Sequence, residues 1–200
     1  MKFVRNDKTI LVDCDGVLCD WEYAFDVWMR HHGNSIKVKG EYLMSTKYGI
    51  DKEESTRLIR HFNESAAIGF LPPLRDAIHY VKKLHEEHGY VFHCITSLSN
   101  DPNAQKLRTL NLERLFGPTV FERFVYLDTG ADKDKELDEY KNSECYWVED
   151  KPENAIVGAT RGLRSILVNH HHNLDEEVDS LGVVRVDCWK EIYNKVVGNE

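Results

Sequence analysis

From Ala77 onward, short β-branched or aromatic runs alternate with helical stripes, and this alternation restricts the fold more than any other feature of the sequence. Ala77, Ile78, Val81 and Leu84 recur at the 3.6-residue spacing of a helix that stops at Gly89. Strands are predicted at 90–96, 124–127, 145–148, 165–168 and 183–186, and helices at 103–116, 132–140, 154–162 (or a long turn) and 189–197. Repetition of strand, helix, strand implies right-handed crossovers and a parallel sheet covered on both faces. The expected class is therefore α/β, a doubly wound parallel sheet with a Rossmannoid core.

A first strand at 9–13 precedes this series, but the helix-strand order then breaks. Trp21, Phe25, Trp28 and Met29 form one helical stripe ending near Gly33, and 34–49 reads as mixed and loop-like. A second helix is expected from 51 to about 63, with Asp51 as N-cap, Glu54 at the capping-box position, and Leu58, Ile59 and Phe62 on its buried face. The Leu71-Pro72-Pro73-Leu74 run ends the interruption. Two hundred residues with 42% hydrophobic content suffice for one sizeable core and a small appended unit. The expected division is a core of 1–19 and 70–200, with a small helical cap, 20–69, inserted after the first strand.

A formal net charge of −8 disfavours a duplex-coating surface, which needs a basic stripe to displace counterions. The five cysteines are odd in number, lack a CxxC pair and mostly lie in apolar runs, as reduced buried thiols of a cytoplasmic protein would. No run approaches the roughly 18 apolar residues that span a bilayer, and no signal-peptide core precedes the first strand. The expectation is a soluble cytoplasmic protein, monomer or homodimer, with neither duplex nucleic acid nor membrane as partner.

Four expected strands end in polar residues, and in a parallel sheet those ends converge. Asp13 and Asp15 follow Ile10-Leu11-Val12, spaced to face one small volume before the Gly16 turn. Thr96 and Ser97 end the second strand. Lys133 and Lys135 stand near a helix start after the third, and Glu149-Asp150-Lys151-Pro152 ends the fourth. Open α/β sheets bind ligands beyond these ends.

This ordered set resembles the haloacid dehalogenase-like (HAD) hydrolase superfamily: DxD at the first strand, Ser or Thr at the second, Lys before a later helix and acids at a fourth. The resemblance covers nearly the whole chain and implies a HAD-like core. Two departures stand out. Glu149-Asp150 replaces the usual Gly-Asp or Asp-Asp, and Asn154 stands where the common DxxxD variant has its second acid. Between the two lysines, Lys133 has the family's usual spacing to a core leucine, here Leu137.

These residue types suit phosphoryl transfer. Asp13 is the expected nucleophile, forming an aspartyl-phosphate, and Asp15 the acid and base that serves leaving oxygen and water in turn. Bringing a phosphate dianion among carboxylates calls for a cation: like unit charges at 4 Å cost about 4 kcal/mol at an effective dielectric of 20. Asp13, the Asp15 carbonyl and Asp150 form an oxygen set suited to Mg2+, with Glu149 behind them or acting through water. Lys133, Thr96 and Ser97 are the expected phosphate contacts. His170-His171-His172 invites a metal reading, but consecutive side chains rarely converge on one ion.

The stretch Glu64-Ser65-Ala66-Ala67-Ile68-Gly69-Phe70-Leu71-Pro72-Pro73, together with Thr96-Ser97 and Asp150-Lys151-Pro152, is similar to the 5'(3')-deoxyribonucleotidase family. That likeness implies a nucleoside monophosphate, preferentially a deoxyribonucleotide, as substrate, and cap aromatics at the base, for which Trp21, Phe25 and Phe70 are candidates. Another small phosphoester, a polynucleotide 3'-phosphate and a non-catalytic phosphate-binding role are the alternatives.

Overall fold

The structure, a computed structural model, describes residues 8–178 and 181–198. Positions 1–7, 179–180 and 199–200 of the expected core lie outside the described residues. Six strands form one parallel sheet: β1 (Thr9–Val12), β2 (Val91–Ser97), β3 (Phe121–Leu127), β4 (Tyr146–Glu149), β5 (Arg164–Val168) and β6 (Val184–Val186). Their spatial order is β3-β2-β1-β4-β5-β6. The order reverses beside β1, where β2 leads one way and β4 the other, and the crevice beyond those strand ends is where such sheets bind ligands.

Period-two alternation sorts the strands into two packed faces. Ile10, Val12, Phe92, Cys94 and Val148 join one buried cluster with Ala77, Val81 and Leu84 of α4 (Ala77–His88), Leu112 and Phe116 of α5 (Pro102–Phe116), and Trp189 and Ile192 of the closing helix (Trp189–Val197). Leu11, Ile95 and Trp147 pack on the other side with Leu137, Tyr140 and Leu163. The short helix α6 (Asp134–Leu137) and helix α7 (Pro152–Thr160) lie there; the closing helix is α8. Gly158 lets α7 sit close to the sheet, since a Cβ there would stand 2.3 Å from Trp147 Cδ1 and 2.6 Å from Ser165 Oγ.

Between β1 and α4 run α1 (Trp21–His31), α2 (Met44–Tyr48) and α3 (Lys52–Glu64). Asp20 and Asp51 cap α1 and α3 by accepting from the backbone N–H of Tyr23 and Glu54. Their apolar stripes meet in a ring cluster of Trp21, Phe25, Trp28 and Phe62. The chain enters and leaves this segment at one seam. Asp20 N–H donates to the Pro72 carbonyl and Leu74 N–H to the Leu18 carbonyl, each at 2.9 Å.

Apart from one-residue shifts at several bounds and an unexpected 3-10 helix over Ala66–Phe70, the larger differences from expectation are these. Helix α2 lies in the stretch read as loop, β3 begins at Phe121 rather than 124, α6 gives way to a 3-10 turn over Asp138–Tyr140, and α7 begins at Pro152 rather than 154. All five cysteines are free, four of them buried and Cys188 half-buried. No helix among the described residues is long and apolar enough to cross a membrane.

Candidate active site

The end of β1 builds the site through backbone geometry. Asp13 N–H continues the ladder to the Val148 carbonyl at 2.9 Å, and then the chain folds tightly enough that Val17, Leu18 and Cys19 N–H all point at the Cys14 carbonyl. Gly16 makes this possible with φ +72°, a left-handed conformation that side chains resist. A Cβ on Gly16 would stand 2.2 Å from Asp150 Oδ2, so glycine also lets the fourth motif close against the first.

Asp13, Ser97 and Glu149 share strand parity with Leu11, Ile95 and Trp147, and all three line one cavity of about 560 Å³. Lys133 Nζ, 2% exposed, bridges Asp13 Oδ2 at 2.9 Å and Glu149 Oε2 at 2.8 Å. Burial opposes its charge, but the two carboxylates prevail and hold it more firmly protonated than an ordinary lysine. Lys135 is exposed, and of the two lysines Lys133 is in the cavity lining. Glu149 is wholly buried, and its other oxygen accepts from Lys151 N–H at 3.1 Å. Burial, with Asp13 nearby, pushes its carboxyl up to about 7 against the pull of Lys133. Asp150 is likewise raised well above the usual carboxylate range by burial, then by Glu149 and Asp13.

Asp15 also lines the cavity but is held from the opposite face of the sheet. Arg108 of α5, wholly buried, donates to Asp15 Oδ1 at 2.7 Å and Oδ2 at 3.4 Å. Burial pushes the Asp15 carboxyl up to about 7; Arg108 pulls it down, while Cys14 and Asp13 push with the burial. A carboxyl so poised can give and take a proton near neutrality.

The other expected residues divide. Trp21 lines the cavity, its indole N–H donating to Asn63 Oδ1 at 2.9 Å. Phe25 does not: it is 1% exposed and sits inside the ring cluster, because α1 turns position 25 inward. Phe70 is 67% exposed, covered on one face by the Arg114 guanidinium, and lies outside the cavity lining. Thr96 lies outside it as well, buried with its hydroxyl unpartnered among the described residues. A one-residue step along a strand reverses the face, which puts Ser97 at the cavity and Thr96 behind it. Ser97 Oγ donates to the Ala131 carbonyl at 2.8 Å.

The comparisons with known proteins bear on this arrangement. A dehalogenase with an intermediate bound superposes with TM-score 0.67 at 12% identity, covering 96% of this chain and 98% of that one. The fold is haloacid dehalogenase-like. A HAD-like hydrolase of Streptococcus pneumoniae gives TM-score 0.64 at 14% identity over 94% and 97% of the two chains. CbbY of Rhodobacter sphaeroides, solved with phosphate, gives 0.58 at 17% over 92% and 96%. No family model matches the sequence. An uncharacterized 32.4 kDa protein from the Gp30-rIII intergenic region of enterobacteria phage T4 is 28% identical over 148 residues, 69% of this chain and 52% of that one. The chain thus spans about half the length of the curated relative it matches.

Oxygen atoms of Asp13, Glu149 and Asp150 lie within 4.8 Å of one another on the HAD-like core. These hard oxygen donors, buried where an uncompensated negative charge is disfavoured, fit a divalent cation such as Mg2+, with Asp13 and Asp150 available to meet it and Glu149 engaged by Lys133 and Lys151 N–H. The sequence reading assigned no place at the site to the buried Arg108 behind Asp15 or to Tyr42, His170 and His172 of the cavity lining. Arg108 left a signal: it falls on the inward stripe Ala104, Arg108, Asn111, Leu112, where a cation is out of place without a buried partner. Tyr42, His170 and His172 left a weaker one, since loop residues carry no periodicity.

Proposed function

We propose that the chain is a phosphomonoesterase acting through an aspartyl-phosphate on Asp13, with nucleoside monophosphates, preferentially deoxyribonucleotides, as substrates. The observation that carries this reading is the Lys133 bridge between Asp13 and Glu149 on the cavity floor, beside Asp150. It gives a carboxylate nucleophile a fixed cation that also meets the incoming phosphoryl group.

An Asp13 oxygen attacks phosphorus as the bond to the leaving oxygen breaks, and Asp15 gives that oxygen its proton. Asp15 then takes a proton from water, whose oxygen attacks phosphorus, releasing phosphate and restoring Asp13. Ser97 turns its hydroxyl from Ala131 to a phosphoryl oxygen. Asp13, the Asp15 carbonyl and Asp150 would hold Mg2+, which supplies charge neutralisation between the phosphoryl oxygens and the carboxylates. Segment 20–69 acts as the cap, and its Trp21 offers the leaving group an aromatic face. The cytoplasm, where nucleotides and Mg2+ are plentiful, is the setting this chemistry suits.

The test is phosphate release in Mg2+ buffer from nucleoside monophosphates, sugar phosphates, an aryl phosphate and a 3'-phosphorylated oligonucleotide, beside Asp13→Asn. Expected are a preference for nucleoside monophosphates and a loss of at least about a thousandfold in Asp13→Asn, the scale of removing a nucleophile. Silence on every ester would end the phosphatase reading. Equal rates on all small esters would end only the nucleotide assignment.

A further inference from the structure

We propose that the Ser55 hydroxyl hydrogen-bonds a polar edge of the leaving group, a hydroxyl or a ring nitrogen, from the α1–α3 side of the cavity. The inference rests on the phosphatase reading and adds to it a residue that selects among esters.

Ser55 sits where two faces of α3 meet. It is 6% exposed and shares the inward stripe with Leu58 and Phe62. It also belongs with Lys52, Thr56 and Ile59 to the face that lines the cavity, at the three- and four-residue spacing of one helix side. A buried hydroxyl calls for a partner. Thr56 finds one in the usual way, its Oγ1 donating to the Lys52 carbonyl one turn back at 2.9 Å. Ser55 does not: its N–H donates to the Asp51 carbonyl at 3.0 Å, but its hydroxyl makes no hydrogen bond with any described residue. Unlike the Thr96 hydroxyl it is not sealed off, and the cavity is where Ser55 meets open space.

The helix that carries this hydroxyl is fixed at its other end. Asn63 Nδ2 donates to the Leu98 carbonyl at 3.1 Å, Ser99 Oγ donates to Glu64 Oε1 at 2.7 Å, and Arg60 pairs with Asp128 at 3.1 Å. These contacts hold α3 on the ends of β2 and β3, so Ser55 is in place before a ligand arrives.

In-line displacement decides what Ser55 meets. An Asp13 oxygen that attacks phosphorus expels the leaving oxygen on the far side, away from β1. Beyond the strand ends the cavity is walled by the α1–α3 segment, where Trp21 and Ile59 offer apolar faces and Ser55 a polar point between helices. The start of α3 does not call for a second anion, since Asp51, Glu53 and Glu54 already place carboxylates at its positive end. An uncharged group suits a serine hydroxyl, which can donate or accept.

Ser55→Ala deletes the hydroxyl at little cost in shape. Alanine favours helix and leaves no buried polar atom unpaired, so the melting temperature should hold or rise, which guards against misfolding as the cause of any loss. The variant is compared with the parent by the ratio of kcat/KM on the best nucleoside monophosphate to kcat/KM on phenyl phosphate, whose leaving group has no polar edge. That ratio is expected to fall about three- to tenfold, mainly through KM, the size of one neutral hydrogen bond. Inhibition by the free nucleoside should weaken in parallel, which gives a binding readout if turnover is poor. An unchanged ratio, or equal losses on both substrates, would overturn the inference while leaving the phosphatase reading standing. A parent chain inactive on every ester would remove both.

Discussion

Two influences on Asp15 pull in opposite directions: burial, which resists its charge, and the Arg108 guanidinium, which favours it. Replacing Arg108 with Gln removes the attraction and leaves the burial, so the Asp15 carboxyl should move above about 7. The general acid proposed for Asp15 works protonated, so the alkaline limb of kcat/KM should shift to higher pH while the maximum falls as the carboxyl loses its anchor. Arg108→Lys should shift less. A pH profile that stays put would separate Asp15 from the proton transfer. Asp13, Asp15 and the acids at β4 were legible because strand ends converge and alternation assigns faces. Arg108 was not, because its partner lies 93 positions away and only packing joins them. Ser97 and Thr96 illustrate a finer limit: adjacent hydroxyls look alike in sequence, and register alone separates them.

Helix α7 holds the fourth motif against the sheet, and Gly158 sets how closely it can lie. Ala at 158 would place a methyl group into Trp147 and Ser165, so the helix must lift. Gly158→Ala should lower stability by about 1–3 kcal/mol, measured by urea unfolding, despite the better helix propensity of alanine. A neutral or stabilising result would mean that the helix shifts freely. Long stripes such as those of α4, α5 and α8 were readable because they repeat over several turns. Helix α2 has five residues and no side-chain cap, too short for periodicity to register. Glu122 and Arg123 interrupt the apolar pattern of β3, which they can do because β3 is an edge strand whose side chains are mostly half-buried.

Across the whole molecule, Asp15 and Glu149 both hold their protons to about 7, against ordinary values of 3.8 and 4.5. Between those limits the folded chain binds protons that the unfolded chain has released, so stability is greatest at low pH in this window and falls as pH rises through 7. In a chelating buffer, the melting temperature should therefore drop by about 5 °C or more from pH 5 to pH 7.5. Mg2+ should flatten that slope by favouring the ionised carboxylates, with protons released on binding. A flat profile in chelator would show that the carboxyls ionise without cost.

The seam of Leu18 to Asp20 against Pro72 to Leu74 ties the entry and exit of the α1–α3 segment to each other. An exchange of everything between those two points would leave both ends of the cut already in register, with the sheet and its aspartates untouched. Under the proposed function, substrate choice would then be inherited as a cassette, replaced in a single recombination event, while the reacting groups descend unchanged.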